Sequence, residues 1–325
     1  MAHIKAISYY LPELKLSNSD LYPSLGEEYV EKTAKQVGVN FRHISGEKQT
    51  SADMAVLAAE KLFAEYNIDK KIIDFVIFCT QTPDYLMPST SCIIQNKLQL
   101  SKNCGTFGCD LGCSGFAYGI AIAQSFVKSG LAKNVLLLTG DTISKILKEQ
   151  SESRLLFGDA AAACLISNNG FAEIGKNFVL GSDGSGFGDL ILENSGMRNY
   201  KVGAGAESDG NYLYMNGEAI FNFTTRIVPP LVKDTLEKNG LSKDDVDLFV
   251  FHQANKFMLN TVRKVCGISK DKFYVDLENT GNTTSSTIPI AIKDAMDKNL
   301  IAKGNKVMIA GFGIGLSWAG GILNF

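Results

Sequence analysis

Asp74–Thr80 (DFVIFCT) is a near-continuous apolar run bounded by polar residues, the pattern of a β-strand buried on both faces. The same pattern returns at Asp247–Gln253 (DLFVFHQ), and further buried-strand runs lie at Asn134–Gly140 (NVLLLTG) and Lys306–Ala310 (KVMIA). Helical periodicity fills the intervals: Ser51–Tyr66, Ser91–Leu98, Gly115–Lys128, Glu218–Lys238 and Ile288–Lys298. Thr287 followed by Pro289 is a common helix opening for the last of these. Strands alternating with helices predict an α/β protein with a mixed or parallel sheet.

Working outward, the chain repeats itself loosely. Asp74–Thr80 matches Asp247–Gln253. Cys109–Cys113 (CDLGC) matches Val275–Leu277 (VDL) with Gly281-Asn282 shortly after it. Leu131–Val135 matches Ile301–Lys303 with Lys306-Val307 after it. The three matches keep their order at a nearly constant offset, which predicts a duplicated half with its boundary near residue 170, where Asn168-Asn169-Gly170 is a turn. The expected units are 1–170 and 171–325, packed closely, since no Pro-rich or low-complexity linker separates them.

The 325 residues carry a net charge of −2, which gives no footprint for nucleic acid. No stretch approaches the roughly 18 apolar residues that span a bilayer. Seven cysteines with no secretory leader predict reduced thiols in the cytoplasm. Cys109 and Cys113 are four apart but lack a second pair, and only His3, His43 and His252 are available beside them, so no metal or cofactor site is expected.

Cys113 sits where an apolar stretch turns into small residues, Asp110–Phe116 (DLGCSGF), just ahead of a helix. Unpaired N–H groups and the dipole of a helix N-terminus favour the thiolate, which is the nucleophile. The plain alternative is a small buried core thiol. His252 ends a strand and is followed by Gln253-Ala254-Asn255; a lone histidine is more often structural, but strand ends are where α/β folds place their sites. Asn279–Ser286 (NTGNTTSS) reads either as a loop capping the next helix or as a loop presenting the Asn282 amide. If the halves pack as pseudo-twofold mates, Cys113, His252 and Asn282 meet in one cleft. Gly311–Gly315 (GFGIG) follows a strand, but a dinucleotide fingerprint needs a helix and an acid further on, and the sequence offers neither. Glycines there let the backbone approach a substrate closely. Gly181–Gly188 reads as a structural turn.

Taken in order, Gly112–Phe116, Phe157-Gly158-Asp159, Gly181–Gly184, His252–Asn255, Gly281–Thr283 and Gly311–Gly315 resemble the β-ketoacyl-acyl-carrier-protein synthase III family of thiolase-fold condensing enzymes, from about Ile4 to the C-terminus. The resemblance implies a five-layered αβαβα fold from a duplicated half, a homodimer, and acyl-carrier protein as partner. It implies Cys113 as the acyl-accepting nucleophile, with His252 and Asn282 promoting decarboxylation of a malonyl thioester and holding the enolate oxygen. It further implies an oxyanion hole at the N–H groups of Cys113 and near Ile314, Asn255 on the pantetheine arm, Phe312 against the malonyl group, and Phe157 and Met87 beside substrate. Thiolases carry a second catalytic cysteine near the C-terminus, and none follows Cys266 here; elongating synthases use two histidines, against one good candidate here. Starter enzymes specific for acyl-CoA hold the adenine with a Trp and an Arg; those positions are Lys32 and Gln36, and a further Arg is Ser151. That loss predicts weak binding of the nucleotide end of CoA. Lys256 and then Phe257 stand where the family has a basic residue on its carrier-docking face, and Met87 stands where short-chain enzymes often have Phe. The leading expectation is a decarboxylative Claisen condensation. A same-fold acyltransferase passing the Cys113-bound acyl group to an alcohol or amine is the alternative.

Overall fold

The computed structural model describes residues 1–198 and 209–325. We number the strands of the large sheet β1 (His3–Tyr10), β2 (Phe75–Cys79), β3 (Gly105–Cys109), β4 (Asn134–Asp141), β5 (Ala160–Ser167), β6 (Ala172–Ile174), β7 (Val179–Ser182), β8 (Leu248–Phe251), β9 (Phe273–Tyr274), β10 (Lys306–Gly313) and β11 (Ser317–Asn324). The main helices are α1 (Glu27–Val37), α2 (Ser51–Glu65), α3 (Thr90–Lys97), α4 (Gly115–Ser129), α5 (Gly217–Lys238), α6 (Lys256–Val265) and α7 (Thr287–Asp297).

The hydrogen-bonded order is β9-β8-β10-β11-β6-β1-β5-β4-β2-β3, with β7 also on β11. Read from either end, one pattern appears twice. β3 and β4 flank β2 in parallel while β5 runs antiparallel to β4; β9 and β10 flank β8 in parallel while β11 runs antiparallel to β10. β1 closes the first set, and β6 with β7 closes the second as one interrupted strand against β11. The two sets join where β1 pairs with β6, His3 opposite Glu173 and Ile4 opposite Ala172.

Strand residues alternate between faces with period two, so a strand buried on both sides feeds two separate cores. Ile77 and Leu137 of the first set, with Val250 and Ile309 of the second, point to a shared central core that contains Ala117 and Ile120 of α4 and Ile288 and Ala291 of α7. Val76, Phe78, Leu136 and Leu138 point the other way, under α2 and α3. Phe249, Phe251, Met308 and Ala310 point under α5 and α6. Helices, strands, central helices, strands and helices thus stack as five layers. Among the described residues no helix is long and apolar enough to cross a membrane.

The five helices read from periodicity are present to within a residue or two at each end. α5 continues through Pro229 and Pro230, because its buried face (Val228, Leu231, Val232) is held by packing rather than propensity. α1 and α6 escape the periodicity reading. α6 begins directly after the His252 segment, where Asn255 caps it: the Asn255 Oδ1 accepts from the Met258 N–H at 2.7 Å.

Candidate active site

Cys113 lies at the carboxyl end of β3 and the start of α4, 7 % exposed. The chain turns tightly there, with the Gly115 N–H on the Gly112 carbonyl at 2.7 Å. Glycines let other segments press against this turn. A Cβ on Gly112 would lie 2.3 Å from Gln81 Oε1, and one on Gly115 2.2 Å from Cys79 Sγ. From the second half, Gly311 and Gly313 come against Cys113 itself; a Cβ on Gly313, whose φ is +154°, would lie 2.9 Å from the Cys113 Cβ and 3.0 Å from its Sγ. The Gly311–Gly315 segment is therefore the end of β10 and the turn into β11, with no helix behind it, and it serves close backbone approach. The second glycine-rich segment is a turn after β7, tied to Leu316 through two backbone hydrogen bonds of Asp183.

The helix start alone does not make Cys113 acidic. Burial pushes its thiol up to about 12, against the pull of the Ile314 and Cys113 N–H groups, and the Asp141 charge adds to the rise. Burial thus works against the thiolate that a helix start favours.

His252 ends β8, buried, with its ring edge-on to Phe312 at a centroid distance of 5.9 Å. Burial lowers its pKa to about 3, while a hydrogen bond to the Thr284 backbone raises it somewhat. His252 Nδ1 lies 2.8 Å from Thr287 Oγ1. The neighbouring Gln253 is spent on structure: its Nε2 donates to the Phe251 carbonyl, and its Oε1 accepts from the Asp276 N–H.

Asn282 follows β9 and interlocks with Phe157-Gly158-Asp159. Its N–H donates to the Leu156 carbonyl at 2.9 Å, and its carbonyl accepts from the Gly158 N–H at 3.1 Å. Gly281 (φ +68°) and Gly158 allow this contact, since a Cβ on either would meet backbone oxygen, at 2.6 Å and 2.2 Å. Asn282 Oδ1 accepts from the Thr284 N–H at 2.9 Å, which leaves the amide Nδ2 to face outward. Asp159 braces the motif from behind, accepting from Ser45 and Ser144.

Cys113, His252 and Asn282 line one narrow cavity of about 90 Å³, with Phe157, Asn255 and Phe312 also in its wall. A second, wider cavity of about 680 Å³ reaches Cys113 from the other side; Cys113 and Phe157 belong to both walls, and Ile143, Ile146, Leu213 and Ile314 line the wider one. The cysteine thus sits where two passages meet. Met87 is the exception among the expected site residues: it lines neither cavity and is 82 % exposed, beside cavity-lining Leu86. Lys32 and Gln36 are exposed on α1, and Ser151 caps a short 3-10 turn. Sequence reading missed Asp141, Thr284, Thr287, Met215 and Met258. Only Asp141 left a signal, a carboxylate at the carboxyl end of an otherwise apolar strand.

Comparison with known proteins points to one family. A family model described as 3-oxoacyl-[acyl-carrier-protein] synthase III matches residues 107–184, and its C-terminal counterpart matches residues 236–325. The chain is similar to a β-ketoacyl-[acyl-carrier-protein] synthase III of Caldanaerobacter subterraneus, 33 % identical and covering 100 % of this chain and 98 % of that protein. It is also similar to one of Clostridium perfringens, 35 % identical and covering 99 % of each. A crystal structure of a 3-oxoacyl-(acyl-carrier-protein) synthase III superposes with a TM-score of 0.95 at 39 % identity, covering 100 % of this chain and 99 % of that one.

Proposed function

The chain belongs to the 3-oxoacyl-[acyl-carrier-protein] synthase III family of thiolase-fold condensing enzymes, and from that premise we propose how its residues divide the work. The reaction is acyl transfer to the enzyme followed by decarboxylative Claisen condensation with a malonyl thioester, malonyl-acyl-carrier protein in our reading. Cys113 accepts the acyl group. The observation that carries this is the convergence of a thiol, an imidazole and an amide from three strand ends on one narrow cavity.

The chemistry follows from the site's electrostatics. With Cys113 near 12 and His252 near 3, the resting pair is neutral thiol and neutral imidazole. Loss of the thiol proton is therefore coupled to attack on the thioester carbonyl, and that proton ends on the departing thiolate. The tetrahedral oxyanion is held by the N–H groups of Cys113 and Ile314. In the second half-reaction the malonyl thioester oxygen faces the Asn282 Nδ2 and His252, two neutral donors that stabilise negative charge as carbon dioxide leaves. The enolate carbon then attacks the Cys113 thioester, and the expelled Cys113 thiolate takes up one proton from bulk water. Phe312 packs against His252 and keeps water from the carboxylate. Asn255 meets the pantetheine arm through its free Nδ2, since its Oδ1 is committed to the helix cap. Phe157 stands between the two passages.

We read residues 1–170 and 171–325 as the two halves, and the working form as a homodimer. β3 is an edge strand with Phe107 42 % exposed, and Tyr85, Leu86 and Met87 in the loop after β2 are also exposed, at 62 %, 63 % and 82 %. An apolar, unpaired strand edge is a template for pairing with a second copy. Met87 then meets an acyl chain only by reaching into the partner copy. Lys32, Gln36 and Ser151 favour carrier-linked acyl donors over CoA, in a protein we place in the cytoplasm.

Intact-protein mass spectrometry after incubation with acyl-CoA and acyl-carrier donors tests this reading. The expected result is an acyl adduct on the parent and none on Cys113→Ala, with carrier donors preferred. Adding malonyl-carrier protein then releases carbon dioxide and β-ketoacyl product. Transfer to a hydroxyl acceptor without carbon dioxide would replace the condensation reading by the acyltransferase one.

A further inference from the structure

Asp141, at the end of β4, is completely buried and has no cationic partner among its hydrogen-bonding neighbours. Five donors converge on its carboxylate. From the loop after β2 come Thr80 Oγ1 at 3.2 Å, the Gln81 N–H at 2.8 Å and Thr82 Oγ1 at 3.2 Å. From the loop after Asn282 come Thr284 Oγ1 and, at 3.1 Å, Ser285 Oγ. A carboxylate suits this place because it is acceptor-only; an amide would turn an NH₂ toward hydroxyls and an N–H that are already donating. Burying an unpaired carboxylate is costly, and it is tolerated where its hydrogen bonds fix something.

What it fixes is Thr284. This residue has φ +50°, a left-handed conformation that a β-branched residue adopts only when its surroundings force it. In that conformation both backbone groups of Thr284 serve the site. Its N–H holds the Asn282 Oδ1 at 2.9 Å. Its carbonyl lies 3.0 Å from Thr287 Oγ1, which lies 2.8 Å from His252 Nδ1; with the hydroxyl proton turned to Nδ1, His252 Nε2 keeps its own proton to donate.

We propose that Asp141 is a positioning residue that clamps Thr284 through its hydroxyl, so that one backbone unit orients both the Asn282 amide and the His252 ring. The inference rests on the proposed function. A carboxylate of the first half thereby sets the geometry of two polar residues of the second. The clamp acts on the decarboxylation donors and makes no contact with the malonyl group, so it governs turnover rather than binding.

The test is carbon dioxide release from a malonyl-carrier thioester by the full-length enzyme and its Thr284→Val, Thr284→Ser and Asp141→Asn variants, with kcat and KM separated. Misplacing the donors by about 1 Å lowers kcat roughly 100-fold. Thr284→Val and Asp141→Asn are expected to show that loss with KM within about twofold of the parent, a split expected of misplaced donors rather than weakened binding. Thr284→Ser, which keeps the hydroxyl, is expected to restore kcat to within about threefold. If Thr284→Val does not fold, Asp141→Asn carries the measurement, checked for folding by thermal unfolding. An unchanged kcat in Asp141→Asn, or a Ser variant as impaired as the Val variant, overturns the clamp. A parent that releases no carbon dioxide breaks the proposed function instead, and the inference falls with it.

Discussion

The turn from β3 into α4 and the stretch from β9 to α7 occupy equivalent places in the two halves, yet they are built differently. The first delivers Cys113 directly at the helix start and surrounds it with backbone, through Gly112, Gly115, Gly311 and Gly313. The second delivers Asn282 five residues before its helix and fills the gap with hydroxyls, Thr283 to Thr287, most of them hydrogen-bonded. A sulfur that attacks a carbonyl needs N–H groups close by and nothing on its path. An amide that must point one way needs its carbonyl oxygen tied down. Duplication supplied two matching strand ends, and the local sequence fitted one for close approach and the other for orientation.

The comparison breaks or sharpens under substitution. The largest effect separates the two ends chemically. Cys113→Ala abolishes the acyl adduct, whereas Asn282→Ala retains it and loses roughly 10²–10³ in carbon dioxide release, the usual worth of one oxyanion donor. Loss of the adduct in Asn282→Ala would erase the division of labour. Next come the glycines on each side. Gly313→Ala and Gly281→Ala both force a side chain into a left-handed backbone and into contact distances below 3 Å, costing about 1–3 kcal/mol each. By thermal unfolding both variants are less stable. By activity Gly313→Ala slows acylation and Gly281→Ala slows decarboxylation; identical profiles would show that the two contacts matter only to the fold. The smallest effect is the pH response of the cysteine. With its thiol near 12, the thiolate fraction rises about tenfold per pH unit through the ordinary thiol range. Iodoacetamide alkylation at Cys113, followed by peptide mass spectrometry, should climb through pH 10. A plateau near pH 9 would mean that the helix start outweighs burial after all. The same shift has a stability counterpart: the folded state holds the proton more tightly, so stability declines as pH rises from the ordinary thiol value of 9.0 toward 12.

Much of this architecture was legible because burial on both faces leaves a strong mark. Asp74–Thr80 and Asp247–Gln253 are apolar at every core position, since each strand feeds two cores, and the run length marks them as strands. The proposed site was legible at Cys113, His252 and Asn282, which line one cavity, because strand ends followed by small or polar residues stand out. α6 was not, because it is only ten residues long and its Asn255 cap reads equally well as a site residue. The place of Met87 was not legible for a different reason: its neighbour Leu86 lines the cavity while Met87 does not, and no periodicity in a loop tells which of two adjacent residues does so.

Sequence by itself determined the alternation of strands and helices, the repeat between the halves and the three residue types at the centre, because hydrophobic periodicity and residue chemistry are local properties of the chain. Tertiary structure alone decided the protonation of the site and the aim of its donors. Burial raises the Cys113 thiol and lowers the His252 imidazole, both toward the neutral form, because the packing of two halves removes water from them, and burial exists only in the folded chain. Thr284 carries both donors because a carboxylate some 140 residues away in the chain, Asp141, lies against it, and such a contact exists only after the halves have met.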